Sequence, residues 1–171
     1  LLNKLMEMGG NIQVFNHSSF GKEPIADLNI KSSVLNPCEV ISGDVPNLID
    51  ELPILFIASC FADGTSSFKD IEELKHKESD RLKAMQDGLD KMKIKNFFDG
   101  NVFCIEGMGK DYKSPNFLAE TNYDHRIAMS FAIAGLNSDS SIEIASPECI
   151  NTSFPEFIEL GKKLGCNFEI S

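Results

Sequence analysis

Three segments of this sequence share one pattern: the end of an amphipathic helix, a polar or glycine-containing break, and a short run rich in strand-forming residues. The segments are LMEMGGNIQVF from Leu5, LDKMKIKNFF from Leu89 and GKKLGCNFEI from Gly161. If Met8, Met92 and Leu164 are equivalent, successive copies lie 84 and 72 residues apart. Repetition over such distances predicts a fold assembled from similar units, with two full copies and the tail of a third in this chain.

Each full unit is predicted to contain an apolar helix, a strand and an amphipathic helix, in that order. The apolar helices, residues 50–62 and 124–135, are hydrophobic on nearly every side, which is typical of helices inside a core. The amphipathic helices carry one stripe at i, i+3 and i+7 spacing, formed by Leu82, Met85, Leu89 and Met92 and by Phe157, Leu160 and Leu164. The predicted strands are 12–15, 27–31, 39–41, 66–69, 102–105, 141–145 and 167–170. This alternation predicts an α/β fold with buried helices and outer sheets.

Capping residues mark the predicted starts of these helices. Asp50 and Asp124 stand at the beginning of the two apolar helices, and Ser79 or Asp80 at the beginning of the first amphipathic one. The sequence from Ser153 to Glu156 matches a capping box with a proline inside it. We therefore predict that the second amphipathic helix begins at this box.

The composition restricts the class of protein. With 42% hydrophobic residues and 13 Phe, the 171-residue chain can form a sizeable core, which excludes a disordered polyelectrolyte. The net charge of -10 and the lack of a Lys/Arg-rich run argue against nucleic acid or an anionic membrane surface as a partner. The longest apolar segment, residues 52–62, is too short to span a bilayer.

The cysteines indicate a reducing compartment. They are odd in number and scattered, with no CxxC pair and no histidine at zinc-ligand spacing; they are Cys38, Cys60, Cys104, Cys149 and Cys166. We interpret them as reduced thiols of a cytoplasmic protein and predict no metal site. Residues 1–8 look like a helix already in progress, so we expect the chain to begin inside a longer protein.

The segment KHKESDR, residues 75–81, is the densest group of charges next to a predicted helix start. Backbone N–H groups and the helix dipole favour an anion there, and Arg81 adds a fork that can bind a carboxylate or phosphate with two hydrogen bonds. Glu78, between cations, is a candidate proton donor or acceptor. A solvated, salt-bridged helix start explains the same residues, and their spacing alone does not decide between the two.

A second candidate is NYDHRIAM, residues 122–129, where Arg126 stands near the mouth of an apolar helix. A charged side chain must leave such a helix by its end, where it can hold an anion. His125 can be an acid, a hydrogen-bond donor or simply a packed ring. Asp50, one repeat earlier, is either only a helix cap or a general base facing a hydroxyl group, and its position fits both.

Four motifs, in order and spacing, resemble the C-terminal part of 5-enolpyruvylshikimate-3-phosphate (EPSP) synthases. They are NLIDELPIL, LKHKESDRL, NYDHRIAMSFAIAGL and NTSFPEF, and the resemblance covers essentially all 171 residues. The pairing of KESDRL with DHRIAM is specific to this family. Thr152, in TSFPEF, stands where first-class members carry a lysine that helps to hold phosphoenolpyruvate, so the chain resembles the second, often glyphosate-tolerant class. The fold that this implies is the inverted α/β prism, built from repeated units with helices inside and sheets outside.

The resemblance also implies roles for five residues. Asp50 matches the residue that contacts the 5-hydroxyl of shikimate 3-phosphate and acts as its general base. Glu78 matches the acid that protonates the methylene carbon of phosphoenolpyruvate. Lys77 matches a residue shared by the substrate and the reaction centre, while Arg81 and Arg126 match the arginines that grip phosphoenolpyruvate. The implied reaction is the transfer of the enolpyruvyl group to shikimate 3-phosphate with release of phosphate, in the pathway to chorismate and aromatic amino acids, and it needs no cofactor.

The family's active site lies between two prisms, and nothing in this chain matches the N-terminal one. We therefore expect residues 1–171 to be most of one prism, a C-terminal domain fragment whose partner is the missing N-terminal domain of the same enzyme, and to be inactive alone. Two alternatives remain: an enolpyruvyl transferase that acts on UDP-N-acetylglucosamine, and a non-catalytic α/β module that binds an anion.

Overall fold

A computed structural model of the chain describes residues 1–138 and 141–169. Its α-helices are α1 (Leu2–Glu7), α2 (Val45–Leu48), α3 (Leu52–Cys60), α4 (Arg81–Lys91), α5 (His125–Gly135) and α6 (Phe157–Lys163). Its strands are β1 (Asn11–Phe20), β2 (Glu23–Lys31), β3 (Glu39–Val40), β4 (Asp63–Lys69), β5 (Asn96–Asp99), β6 (Val102–Met108), β7 (Phe117–Ala119) and β8 (Ile142–Ile144). Two 3₁₀ helices cover Glu72–His76 and Pro147–Thr152.

The predicted repeat is present in the backbone. In each unit a buried helix connects two parallel strands, with α3 between β3 and β4 and α5 between β7 and β8. A 3₁₀ helix and then an amphipathic helix, α4 or α6, follow in both units. The three residues taken as equivalent in the sequence repeat are the C-cap residues of α1, α4 and α6; they are Met8, Met92 and Leu164. The repeat is therefore a repeat of structure as well as of sequence pattern.

The strands form one four-stranded sheet, ordered β3-β4-β6-β5, and two two-stranded sheets, β1-β2 and β7-β8. The predicted strands at 12–15 and 27–31 pair with each other at the open end of a longer antiparallel hairpin. Strand β7 was not predicted, and β5 lies in the strand-forming run of the second repeated segment although it was not among the predicted strands. The strand expected at 167–170 is wrong for residues 167–169, which are irregular, while residue 170 lies outside the described residues. In the two earlier copies the equivalent strand has an antiparallel hairpin partner, and residues 167–169 have none among the described residues.

The core lies between the helices and the four-stranded sheet. Phe56 of α3 packs its ring against Phe68 of β4 at 4.7 Å and Phe103 of β6 at 5.2 Å between centroids, and all three are fully buried. Gly88 of α4 faces Phe131 of α5 so closely that a Cβ atom built there would lie 1.9 Å from the ring. The helices that the sequence predicted to be buried thus occupy the interior, with the sheet on their outer side.

Two predicted helix starts are wrong. Helix α3 begins at Leu52 with Glu51 as its N-cap residue, and Asp50 caps nothing because its carboxylate is bonded to Arg81. The Ser153 box does not form, since Ser153 ends the preceding 3₁₀ helix and α6 begins only at Phe157. The other two starts are confirmed: Asp80 and Asp124 accept hydrogen bonds from the first turns of α4 and α5.

No helix among residues 1–138 and 141–169 is long and apolar enough to cross a membrane. All five cysteines are free thiols, as predicted. Burial raises the pKa of Cys60, the last residue of α3, above its ordinary value.

Candidate functional site

Three helix starts from both repeat units meet at one place. The connection from α2 to α3 contributes Asp50 and Glu51, and the segment between the first 3₁₀ helix and α4 contributes residues 77–81. The start of α5 contributes Asp124 and Arg126. Because α3 and α5 are the buried helices of successive units and pack against each other, their N-terminal ends lie side by side.

Arg81 is the centre of this cluster. Its side chain is only 1% exposed, although it is the first residue of a helix, and each of its three nitrogens donates to a different carboxylate. Nε donates to Asp124 at 2.8 Å, Nη1 donates to Asp50 at 2.9 Å, and Nη2 donates to Glu78. A buried guanidinium is stable only when its charge and its donors are satisfied in this way.

Asp124, which accepts from Arg81 Nε, is the fully buried carboxylate of the cluster, with 0% exposure. Its Oδ1 accepts the backbone N–H of Arg126 at 2.9 Å and so caps α5, while its Oδ2 accepts from Arg81 and from the Ser79 hydroxyl at 3.1 Å. Just before it, Asn122 and Tyr123 both have left-handed backbone conformations, with φ of 50° and 60°. Such strain is tolerated where the surrounding contacts over-determine the geometry.

Arg126 and Lys77 add two more cations at the edge of the cluster. Arg126 Nη1 donates to the backbone oxygen of Asp50 at 2.7 Å and to Glu51 Oε1 at 3.2 Å. Lys77 Nζ lies 2.8 Å from Glu73 Oε1 and 3.6 Å from Asp50 Oδ1. Their side chains are 31% and 21% exposed, so both can be reached from solvent.

The cations control the protonation of Asp50. Desolvation alone would raise the pKa of this carboxyl, but the hydrogen bond from Arg81 and the charges of Lys77 and Arg126 outweigh it and hold the pKa below its ordinary value. For Arg81 the signs are reversed: burial alone would lower its pKa, but Asp124 and the other carboxylates outweigh this and raise the pKa. The pKa of Lys77 is raised, chiefly by its hydrogen bond with Glu73. At neutral pH Asp50 is therefore ionised beside the charged groups of Arg81 and Lys77.

All five residues singled out in the sequence lie in this cluster: Asp50, Lys77, Glu78, Arg81 and Arg126. Sequence reasoning missed three parts of it: the pairing of Asp124 with Arg81, the Ser79 hydroxyl, and Glu51. Asp124 was recognised only as a cap, because a cap uses one carboxylate oxygen and the sequence does not show what the other binds. The buried arginine could not be expected from its place at a polar helix start.

No group of His, Cys, Asp or Glu in the described part of the chain is arranged to hold a metal ion. The cluster instead places positive groups around two carboxylates, Asp50 and Glu78, whose side chains are 46% and 55% exposed. This arrangement can bind a small anion with several negative oxygens, and it offers two carboxylates for proton transfer.

Comparison with known proteins decides the family. The model of the EPSP synthase (3-phosphoshikimate 1-carboxyvinyltransferase) family matches residues 1–160. The chain belongs to the EPSP synthase family. It is 42% identical over 164 residues to the 3-phosphoshikimate 1-carboxyvinyltransferase of Petrotoga mobilis and 45% identical over 159 residues to that of Aquifex aeolicus. These alignments cover 96% and 91% of the chain but 38% and 36% of the two relatives.

Solved structures agree with this membership. An EPSP synthase structure from Acinetobacter baumannii matches 99% of the chain and 39% of its own length, with a TM-score of 0.92 and 40% identity. The enolpyruvyl transferase NikO from Streptomyces tendae matches 97% of the chain and 35% of its own length, with a TM-score of 0.63 and 17% identity. The chain therefore has the enolpyruvyl transferase fold, and it spans less than two fifths of the length of the EPSP synthases that it matches.

Proposed function

We propose that the protein is a 3-phosphoshikimate 1-carboxyvinyltransferase, which transfers the enolpyruvyl group of phosphoenolpyruvate to the 5-hydroxyl of shikimate 3-phosphate and releases phosphate. One observation carries the proposal: in a chain of the EPSP synthase family, Asp50, Lys77, Glu78, Arg81 and Arg126 converge from both repeat units on one cluster. Three cations from two segments, placed around two accessible carboxylates, suit a reaction between two anionic substrates.

The cations are proposed to bind phosphoenolpyruvate. Arg81 and Arg126 hold its carboxylate and phosphate, and Lys77 lies between this anion and the acceptor. In the structure, Arg81 is covered by Asp50 and Glu78, so an incoming carboxylate must replace at least one of them at Nη1 or Nη2. Replacing one carboxylate by another keeps the buried guanidinium paired throughout, which avoids the cost of an uncompensated buried charge.

The two carboxylates are proposed to move the protons. Glu78 donates a proton to C3 of phosphoenolpyruvate, the acceptor oxygen forms a bond to C2, and Asp50 takes the hydroxyl proton. A proton then returns from C3 to Glu78 while the C2–O bond to phosphate breaks, and the proton on Asp50 is released with the phosphate, which leaves the enolpyruvyl ether. The cations favour the ionised form of Asp50, which is the form that a base requires. They also stabilise the negative charge that develops as phosphate leaves.

The domain arrangement is likewise a proposal. We infer that residues 1–171 form most of one prism and that turnover requires a second domain outside these residues. This inference is supported by the part of each relative that the chain covers, which is 36–39% of the length of the EPSP synthases named above. Purified residues 1–171 should then release phosphate at a small fraction of the rate of a full-length family enzyme, and a comparable rate would contradict this.

The free thiols favour a cytoplasmic location.

Acceptor competition tests the function itself. The protein, expressed from its complete reading frame, is supplied with phosphoenolpyruvate and equal concentrations of shikimate 3-phosphate and UDP-N-acetylglucosamine, and both enolpyruvyl products are quantified. We expect only the shikimate product. A product on the nucleotide sugar would assign the other acceptor class, and no product with either acceptor would favour a binding module.

A further inference from the structure

Ser79 is tied to both members of the buried Arg81–Asp124 pair. Its hydroxyl donates to Asp124 Oδ2 at 3.1 Å, and its backbone oxygen accepts the N–H of Arg81 at 2.9 Å. The same Oδ2 atom accepts from Arg81 Nε at 2.8 Å. A single serine thus contacts the charge pair from the side of the first repeat unit, while Asp124 belongs to the second.

The second donor matters because Asp124 has no contact with water. With 0% exposure, every oxygen of this carboxylate must be satisfied by protein groups. Oδ1 is occupied by the α5 cap, and Oδ2 is shared by Arg81 and Ser79. Without the hydroxyl, Oδ2 keeps one donor, and the orientation of the carboxylate is then fixed by the α5 cap and Arg81 alone.

The orientation of Asp124 sets the orientation of the Arg81 fork. The guanidinium is planar, so the direction of its Nε–H bond fixes the positions of Nη1 and Nη2. Nε points to the buried Asp124, whereas Nη1 and Nη2 point to the half-exposed Asp50 and Glu78. Only the second edge can be offered to an anion.

We propose that Ser79 is a positioning residue: acting through Asp124, it fixes the edge of Arg81 that receives the anionic substrate. This inference rests on the proposed function for its kinetic readout. The hydroxyl does not reach the substrate, and its contribution is to hold the buried edge of the guanidinium so that the two outer nitrogens are aligned before the anion arrives.

The kinetic test compares Ser79→Ala with Ser79→Thr, which keeps the hydroxyl. Removing one hydrogen bond to the buried carboxylate should raise KM for phosphoenolpyruvate by about five- to tenfold, with kcat changed less than about twofold. The threonine variant should restore the wild-type KM. Ser59→Ala is the matched control, because Ser59 is a buried serine of α3 that bonds Leu55 within its own helix, and it should leave KM unchanged.

A second measurement does not depend on turnover. In the 171-residue chain, the Arg81 Nε–H signal in ¹H–¹⁵N NMR spectra reports directly on the bond to Asp124. Ser79→Ala should shift this signal and speed its exchange with solvent, while Ser79→Thr and Ser59→Ala should not. In an Asp124→Asn background, Ser79→Ala should have no further effect on KM, because a residue that acts through Asp124 is coupled to it.

Three results would overturn the inference. The first is an unchanged KM in Ser79→Ala together with a fall in melting temperature like that of Ser59→Ala, which would mark a purely structural serine. The second is additive effects of Ser79→Ala and Asp124→Asn. The third is an unmoved Arg81 Nε–H signal in Ser79→Ala. If the wild-type protein shows no turnover, the proposed function fails, and the NMR comparison still decides the role of Ser79.

Discussion

At the scale of single residues, the cluster is organised around a charge that the fold buries. Arg81 is 1% exposed, and its three donors meet three carboxylates from different segments. Asp124 holds one edge of the guanidinium permanently, while Asp50 and Glu78 cover the other edge and remain in contact with solvent. In the proposed function, an anion therefore binds by replacing a carboxylate on one edge of Arg81.

Glu78→Gln tests proton donation without changing the shape of the site. The amide cannot donate to carbon as an acid, so kcat should fall by about 10²–10⁴-fold. KM for phosphoenolpyruvate should change much less than kcat, because the amide has the size and shape of the carboxyl group and can still accept a hydrogen bond from Arg81. The matched control is Glu72→Gln, in the preceding 3₁₀ helix, whose carboxylate pairs with the exposed Lys75. Loss of activity in both variants would contradict the specific role of Glu78.

Asp50 gives a prediction for stability against pH. The pKa of the Asp50 carboxyl is lower in the folded protein than in the unfolded chain. The ionised carboxylate therefore stabilises the fold fully at a pH above its unfolded-state pKa. This contribution is lost as the pH falls through the lower pKa of the folded state. The effect is small, since the side chain is 46% exposed and solvent screens its contacts.

We expect Asp50→Asn to lower the melting temperature at pH 7 and to have less effect at pH 3, where the wild-type carboxyl also loses its charge. Asp63→Asn is the control. Asp63 is an exposed residue of β4, and it forms no ion pair with any other residue that the structure describes. An Asp50→Asn difference that is the same at both pH values would show that the carboxylate is not held by the cations.

At the scale of elements, helix caps and close packing place the cluster. Asp80 accepts the N–H of Lys83 at 2.9 Å and fixes the start of α4, directly beside Arg81. Replacement by alanine should cost about 1 kcal/mol of unfolding free energy, measured by denaturant titration. Asp87→Ala, in the same helix but away from its start, should cost clearly less, and equal losses would contradict the cap.

Gly88 determines how closely α4 approaches α5. A methyl group at this position would lie 1.9 Å from the Phe131 ring, so Gly88→Ala should destabilise the fold by about 1–3 kcal/mol despite the better helix propensity of alanine. Gly43 meets nothing within 4 Å of an added Cβ, and Gly43→Ala is therefore the matched control. Equal unfolding free energies for the two variants would show that the helices do not pack as described.

The elements also show where sequence reasoning succeeds. Strong periodicity and a near-continuous apolar run correctly predicted α3, α4 and α5 as helices, and Asp80 and Asp124 were correctly predicted as the caps of α4 and α5. At Asp50, β5 and β7 the errors came from tertiary partners, which local sequence does not show. Asp50 looks like a cap but is bonded to Arg81, 31 positions away. The short strands β5 and β7 depend on pairing with β6 and β8, which their own sequences do not specify.

At the scale of the whole molecule, the repeat explains why a site exists here. Each unit brings a buried helix to the same place, and the two helix starts meet at Arg81, which bonds Asp50 of one unit and Asp124 of the next. The family resemblance predicted five residues of this cluster, but not their contacts. Burial of Arg81 and the link through Ser79 follow only from the packing of one unit on the other.

The net charge of -10 does not oppose the binding of anions. Three cations lie within one cluster, and the field inside a partly enclosed site is set by the nearest charges rather than by the total. The salt dependence of phosphoenolpyruvate binding should therefore be weak compared with that of a protein that attracts its ligand through its overall charge.

Incorporation of solvent deuterium tests the central claim most directly. The protein, expressed from its complete reading frame, is supplied with phosphoenolpyruvate and shikimate 3-phosphate in D₂O, and the enolpyruvyl product is analysed by mass spectrometry and ¹H NMR. If C3 is protonated and then deprotonated at this cluster, the methylene group of the product carries deuterium, and Glu78→Gln forms almost no product. Product formed without deuterium, or formed equally well by Glu78→Gln, would contradict the account.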